Sequence, residues 1–348
     1  TQHLAKRSRR HGVLYVFDTV CIQINNKKGE IKMLAKLFTL LLAALFVVNP
    51  YVAPDTSDPI KPLEDDVKLT AVAWADPQIS NYLVKRYPVF KAAAEDLTNS
   101  TVDIDALILA GDITENGLQC EFNEIYNSLS KTPVKNFITA TGNHDIRLKL
   151  YSQSRGRFVD FTNKLNANAG SELKIDKLNY SYEVNGYTFI VLGSDRTEFE
   201  EAYISPEQLA WLDSSLDACK DSGKPVFVVL HQTLKDTHGL PDTWGSPIPG
   251  GSVGAQSDDI YNILNKYSNV ILITGHMHTG MGQYTYEKVG NFHSVNLPST
   301  TIKNKDGEYN GPGIGYMMEV YEEKVVFRGR DFAKGVYVPE QDFTIEIG

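Results

Sequence analysis

The chain reads as an α/β protein with a mostly parallel sheet core and added antiparallel strands. Three observations predict this. Apolar runs of strand length alternate with helical patterns from residue 67 to residue 274. Five short polar clusters sit at the ends of these β-type runs: Asp76-Pro77-Gln78, Gly111-Asp112, Gly142-Asn143-His144-Asp145, His231 and Gly275-His276-Met277-His278. Asn185-Gly186 separates two alternating runs, the strongest short-range hairpin signal.

The elements follow in order. Residues 67–75 form a β-type run ending at Asp76, and 87–97 a helical pattern with Pro88 near its start. The run 105–110 is almost continuously apolar, as a strand buried on both faces should be. Helical spacing over 118–129 precedes a strand over 134–140, and a further helix is expected over 157–165. The hairpin strands are 180–184 and 187–192. Ser205-Pro206-Glu207-Gln208 then reads as a helix start, with Ser205 capping, Pro206 in the first helical position and Gln208 closing a capping box. That helix should run to about Lys220 and stop at Gly223. Strand 226–230 delivers His231, helix 258–266 follows, and strand 270–274 delivers Gly275. The tail carries short β runs at 291–295, 315–321 and 324–329, and there is no internal repeat.

Length and composition set outer bounds. The 348 residues suffice for one large core, and 42% hydrophobic with 22% charged residues is ordinary globular composition. Net charge is −9 but unevenly spread: residues 1–53 hold eight basic and two acidic residues, which leaves 26 basic and 41 acidic residues, a net −15, for 54–348. So acidic a body excludes a phosphate-backbone binder, and no nucleic-acid duplex partner is expected. Met33 to Lys36 followed by an apolar run from Leu37 to Val48 has the anatomy of a signal peptide over 33–53. The competing anchor reading needs a longer run, about 20 residues, and membrane contact is expected only if the segment is uncleaved. Residues 1–32 read as a gene-start artefact or an extended basic region, 54–66 as a linker and 67–348 as one folded domain. The expected location is secreted or cell-surface. Cys120 and Cys219 lie in predicted helices and read as buried thiols, with a single disulfide as the alternative.

In open α/β sheets, ligands bind outside the carboxyl ends of strands, and all five polar clusters fall there. Singly, each has a plainer explanation. Asp76 and Asp112 suit helix caps or solvated loop acids, Asn143 suits a turn, and His231 suits a satisfied core histidine. Jointly, hard oxygen and imidazole donors at one sheet edge point to a metal site.

In order and context these clusters resemble the motifs of the calcineurin-like metallophosphoesterases, over roughly residues 67–300, in their bacterial, exported form. The resemblance implies a four-layer α/β/β/α sandwich with two mixed β-sheets and a centre of two divalent ions (Mn²⁺, Fe²⁺ or Zn²⁺). It implies that Asp112 bridges the ions, that Asp76, Gln78 and His278 complete the first, and that Asn143, His231 and His276 complete the second. His144 would face the phosphate and Asp145 would orient its ring. Gln78 stands where many members carry histidine, and as a neutral amide it favours Mn²⁺ or Fe²⁺ over Zn²⁺. The implied reaction is in-line attack by metal-bound hydroxide on a phosphate ester, a small molecule, lipid or nucleotide, with diesters slightly favoured because arginine is scarce near the motifs. The alternative is a scaffold protein of the same fold with little catalysis. His238 and Trp244, in the long loop 232–256, are further candidates for substrate contact. Asp195 and His293 read as structural, Met277 as a core residue, and Arg147 and Arg155 as solvated helix charges that could meet phosphate.

Overall fold

The computed structural model describes residues 55–148, 150–239 and 251–347. The expected signal segment, the residues before it, Cys21 and Trp244 lie outside these.

Two mixed β-sheets face each other. The first is built on β1 (Leu69–Trp74), β2 (Ala106–Ala110) and β3 (Phe137–Ala140), all parallel. It continues antiparallel through β10 (Ile314–Val320) and β11 (Lys324–Asp331), which pairs both β12 (Val336–Tyr337) and β13 (Phe343–Glu346). The second sheet has the order β4 (Tyr180–Val184), β5 (Tyr187–Val191), β6 (Val226–Val229), β7 (Val270–Thr274), β9 (Phe292–Asn296), β8 (Tyr286–Val289). Strands β5, β6, β7 and β9 run parallel, and hairpin pairs close both edges.

Alternate residues of each strand explain the layers. Ala71 and Ala73 of β1 pack with Phe189, Phe227 and Ile271 between the sheets. The intervening Val72 and Trp74 face outward, toward helices α1 (Arg86–Leu97), α2 (Gln119–Leu129) and, beyond the four-residue α3 (Asn143–Ile146), α4 (Tyr151–Ala169). Outward residues of the second sheet, such as Val228 and Leu272, pack with Leu212 of α5 (Pro206–Asp217) and Ile260 of α6 (Ser257–Leu264). Because both faces of both sheets are covered, the central strands carry no alternation, and the expected four-layer α/β/β/α sandwich is present.

Local differences have local causes. The helix expected over 157–165 extends to 151–169, ending where Gly170 adopts φ +76. The Asn185-Gly186 turn has both residues at positive φ, 51 and 78, as a type I′ hairpin requires. At α5, Ser205 accepts the Gln208 amide at 3.2 Å, but the capping box does not close. The Gln208 side chain instead reaches the Gly193 carbonyl (2.8 Å) and Asp195 (2.7 Å), and Asp195 accepts the Ser205 amide at 3.0 Å. Cys219 is a free, half-buried thiol, so it makes no bridge to Cys120. Among the described residues no helix is long and apolar enough to cross a membrane.

Candidate metal centre

The strands that carry the polar clusters are neighbours: β1, β2 and β3 in one sheet, β6 and β7 in the other. Their carboxyl ends meet at one edge. Loop backbone extends the pairing past the strands, through Gln78 N–H to Asp112 O (2.8 Å) and Gly275 N–H to His231 O (2.8 Å).

Asp112, His231 and His276 are buried and offer ligand atoms within 4.8 Å of one another. Asp112 Oδ2 lies 3.2 Å from His231 Nε2, and His231 Nε2 lies 3.1 Å from His276 Nδ1. Beside this group, Asp76 Oδ1 lies 3.1 Å from His278 Nε2 and 3.8 Å from His231 Nε2. His231 Nδ1 donates to the Ala110 carbonyl at 2.8 Å, which turns Nε2 toward the centre. Asn143 is held by its Nδ2, which donates to Phe199 O (3.1 Å) and Glu200 Oε2 (3.0 Å). Its Oδ1 is buried with no partner, an acceptor poised for a cation.

The backbone is strained where it delivers these groups. Asp76, Gln78, Asp112, His276 and His278 all have positive φ, between 39 and 72. Such conformations cost about 1–3 kcal/mol each and persist where the surroundings over-determine them. The glycines of the motifs leave room for the ligands. A methyl group on Gly142 would lie 2.0 Å from Asp112 Oδ1, and one on Gly275 would lie 2.5 Å from Asp76 Oδ2.

Electrostatics without a cation show the same crowding. Burial favours the neutral His231 ring, but Asp112 and Asp76 outweigh it and push its pKa up to about 9. Burial also opposes ionisation of Asp112, yet the neighbouring His231 and His144 hold its carboxyl well below the usual range. Burial and then the His231 charge keep His276 neutral, its pKa well below that of free imidazole. Carboxylate, neutral imidazole and an unpaired amide oxygen form a donor set that divalent transition metals accept.

One expectation needs correction. Asp145 does not touch the His144 ring. Its two oxygens accept from Ile113 N–H (3.2 Å), Thr114 N–H (2.8 Å), Thr114 Oγ1 (2.7 Å) and Gly142 N–H (3.0 Å), clamping the loop after β2 to the start of α3. The His144 ring is placed instead by the Glu115 carbonyl, 2.9 Å from Nδ1, with Arg147 Nη2 also 2.9 Å from that nitrogen. Gln78, expected as a ligand, turns its Nε2 to Asp112 Oδ2 at 3.1 Å, so in this orientation it steadies the carboxylate. The side chains of i and i+1 residues diverge on a helix, which is why Asp145 cannot serve its neighbour.

Other candidates sort by burial. His238 is buried against Ser294 (2.9 Å), and desolvation pushes its pKa down to about 4, so it does not present its ring to substrate. His293 bonds Tyr286 (3.0 Å) within the second sheet, and Met277 is buried. Arg155 turns to the Asp176 carbonyl, whereas Arg147 sits at the site, paired with Glu200 at 3.0 Å. Sequence reasoning missed Glu115, Glu200 and Arg86, the last bonding Gln78 O at 2.8 Å and pairing with Glu115. Glu115 was within reach, three residues past Asp112. Glu200 meets Asn143 across 57 residues, and no local spacing could signal it.

A sequence profile of the calcineurin-like phosphoesterases matches residues 75–280, which contain every candidate ligand. The chain belongs to the calcineurin-like phosphoesterase family. It is a hydrolase of phosphate ester bonds that uses divalent metal ions. Two curated relatives are similar at low identity. A 3',5'-cyclic-nucleotide phosphodiesterase of Nostoc sp. is 23% identical over 61% of this chain and 68% of its own. A probable cyclic nucleotide phosphodiesterase of Ruthia magnifica is 22% identical over 58% and 72%. Among solved structures, a dimetal phosphatase from Danio rerio matches with TM-score 0.58 at 17% identity, covering 81% of this chain and 100% of that one. A purple acid phosphatase from yellow lupin matches with TM-score 0.52 at 13% identity, covering 80% and 53%. These structures share the fold.

Proposed function

We propose that this phosphoesterase hydrolyses phosphodiesters, with nucleotide diesters, cyclic ones included, as its substrate class, at a centre of two divalent ions. The observation that carries the reading is the buried Asp112, His231 and His276 group with the unpaired Oδ1 of Asn143 beside it. Asp76 and His278 form an adjacent pair, linked to the first group through His231 Nε2, 3.8 Å from Asp76 Oδ1, and the two oxygens of Asp112 are differently engaged. Asp112, Asp76 and His278 would hold one ion; Asp112, Asn143, His231 and His276 would hold the other. Bound there, such ions supply Lewis-acid polarisation of the phosphoryl group and activate water near neutral pH.

The chain's own residues do the rest. His144 Nδ1 is occupied at Glu115, so Nε2, 3.8 Å from Asp112 Oδ2, is the ring atom that faces the site and can deliver a proton to the leaving oxygen. The Asp112 carboxylate accepts the His144 backbone N–H at 2.8 Å, which fixes the start of α3 relative to the centre. Arg147 is already neutralised by Glu200, so the site lacks a spare cation there for the second charge of a monoester. That favours diesters, as do the names of the two curated relatives. An extracytoplasmic location is part of the same proposal and rests on the pattern at residues 33–53 alone.

The test is turnover of bis-p-nitrophenyl phosphate, p-nitrophenyl phosphate and 3',5'-cyclic AMP with Mn²⁺ and after chelation. The reading expects metal-dependent turnover, faster for the diesters. Faster monoester hydrolysis would refute the diester assignment, and equal rates after chelation would refute the metal centre.

A further inference from the structure

Six large apolar side chains stand open to solvent among the described residues: Leu63, Tyr82, Leu83, Val84, Leu150 and Phe199. Tyr82, Leu83 and Val84 begin four residues after Gln78, and Leu150 follows α3, so most of this apolar exposure lies on loops leaving the metal edge. Phe199 is tied to the site more closely. Its carbonyl accepts the Asn143 side-chain N–H at 3.1 Å. The Arg147 guanidinium lies 5.2 Å from the centre of its ring, and that same guanidinium lies 2.9 Å from His144 Nδ1. The neighbouring Glu200 bonds both Asn143 and Arg147, so the loop is anchored on the two sides that matter. Yet Phe199 is 58% exposed. The Phe199 ring thus reaches the His144 imidazole through one guanidinium while staying open to solvent.

We infer that Phe199 is the platform on which the aromatic base of a nucleotide diester stacks while its phosphorus sits among Asp76, Asp112 and His144. This rests on the diester reading above. The chemistry suits a neutral, flat, apolar group: aromatic rings stack on any base because each base has a π-face. The net −15 of residues 54–348 makes an anionic lipid surface a poor alternative occupant for the same ring. Asn143 is held by the Phe199 backbone, not by its ring, so the side chain can be varied without removing that bond.

The experiment compares full-length wild type, Phe199→Ala, Phe199→Leu and Phe199→Trp, loaded with Mn²⁺. The substrates are 3',5'-cyclic AMP and the corresponding 3',5'-cyclic phosphate of methyl riboside, which lacks the base. The proposal expects Phe199→Ala to raise the ratio of the two KM values (cyclic AMP over base-free) about 5- to 150-fold, the span of one lost base–aromatic stack. The change should fall on KM rather than kcat, Phe199→Trp should restore the ratio, and Phe199→Leu should not. An unchanged ratio in Phe199→Ala overturns the platform. Full rescue by leucine overturns stacking, because it reduces the contact to apolar bulk. Wild type that hydrolyses neither substrate, while still cleaving other phosphate esters, overturns the nucleotide reading on which the platform depends.

Discussion

Asp145 separates two accounts of the same sequence motif. If it served the His144 ring, Asp145→Asn would leave the fold intact and damage turnover. The structure makes it a clamp instead, with four donors on two oxygens. Asparagine is nearly isosteric but offers one acceptor atom. With its oxygen toward Ile113 and Gly142, its NH₂ faces the Thr114 N–H, and the Thr114 hydroxyl can reverse to accept. With its oxygen toward Thr114, both the Ile113 and Gly142 N–H groups are left facing a donor. Either way one or two buried backbone donors lose their partner, at about 1–3 kcal/mol each. A loss of about 3 kcal/mol corresponds to a fall in Tm of about 5–10 °C for a domain of this size. The assay is thermal unfolding of the chelated protein, wild type against Asp145→Asn. An Asp145→Asn protein with unchanged Tm and turnover reduced a hundredfold would refute the clamp and reinstate the pairing with His144.

Three further outcomes follow from the same geometry. Asp112→Asn should lose metal and activity together, whereas His144→Ala should retain metal, measured by elemental analysis after gel filtration, and lose turnover by about 10²–10⁴-fold. Glu200→Ala removes one of the two acceptors that aim the Asn143 amide, and should weaken metal binding about 10-fold by titration calorimetry without removing a ligand. His231, raised to about 9 in the metal-free chain, carries a proton at pH 7 that a cation must displace. Metal binding at pH 7 should therefore release about one proton, read from calorimetry in buffers of different ionisation heat, and apparent affinity should rise with pH until about 9 and then level; binding without proton release would contradict the arrangement.

The sheet core was legible because β1, β2, β6 and β7 are short, apolar but for Thr70 and Thr274, and end in polar clusters. The hairpin was legible because only a few residue pairs accept two successive positive φ values. Strands β8, β12 and β13 were not, since β8 carries Glu287 and Lys288 at a half-exposed edge and β12 has two residues. The four residues of α3 are too few to show a period. The candidate ligands were readable as a set because strand ends gather them; the role of Asp145 was not, because a side chain's partner depends on loop geometry rather than on its neighbour in sequence. Glu200 and Phe199 illustrate the same limit, since they reach Asn143 only through the folded sandwich.

The account turns on one cage made by Asp76, Asp112, Asn143, His231, His276 and His278. Crystals grown with Mn²⁺ and measured at the manganese absorption edge test it directly. Two anomalous peaks about 3.5–4 Å apart, with the Asp112 carboxylate between them and Asn143 Oδ1 turned to one, are the predicted result. Manganese bound elsewhere, with these six side chains left to one another, would contradict it.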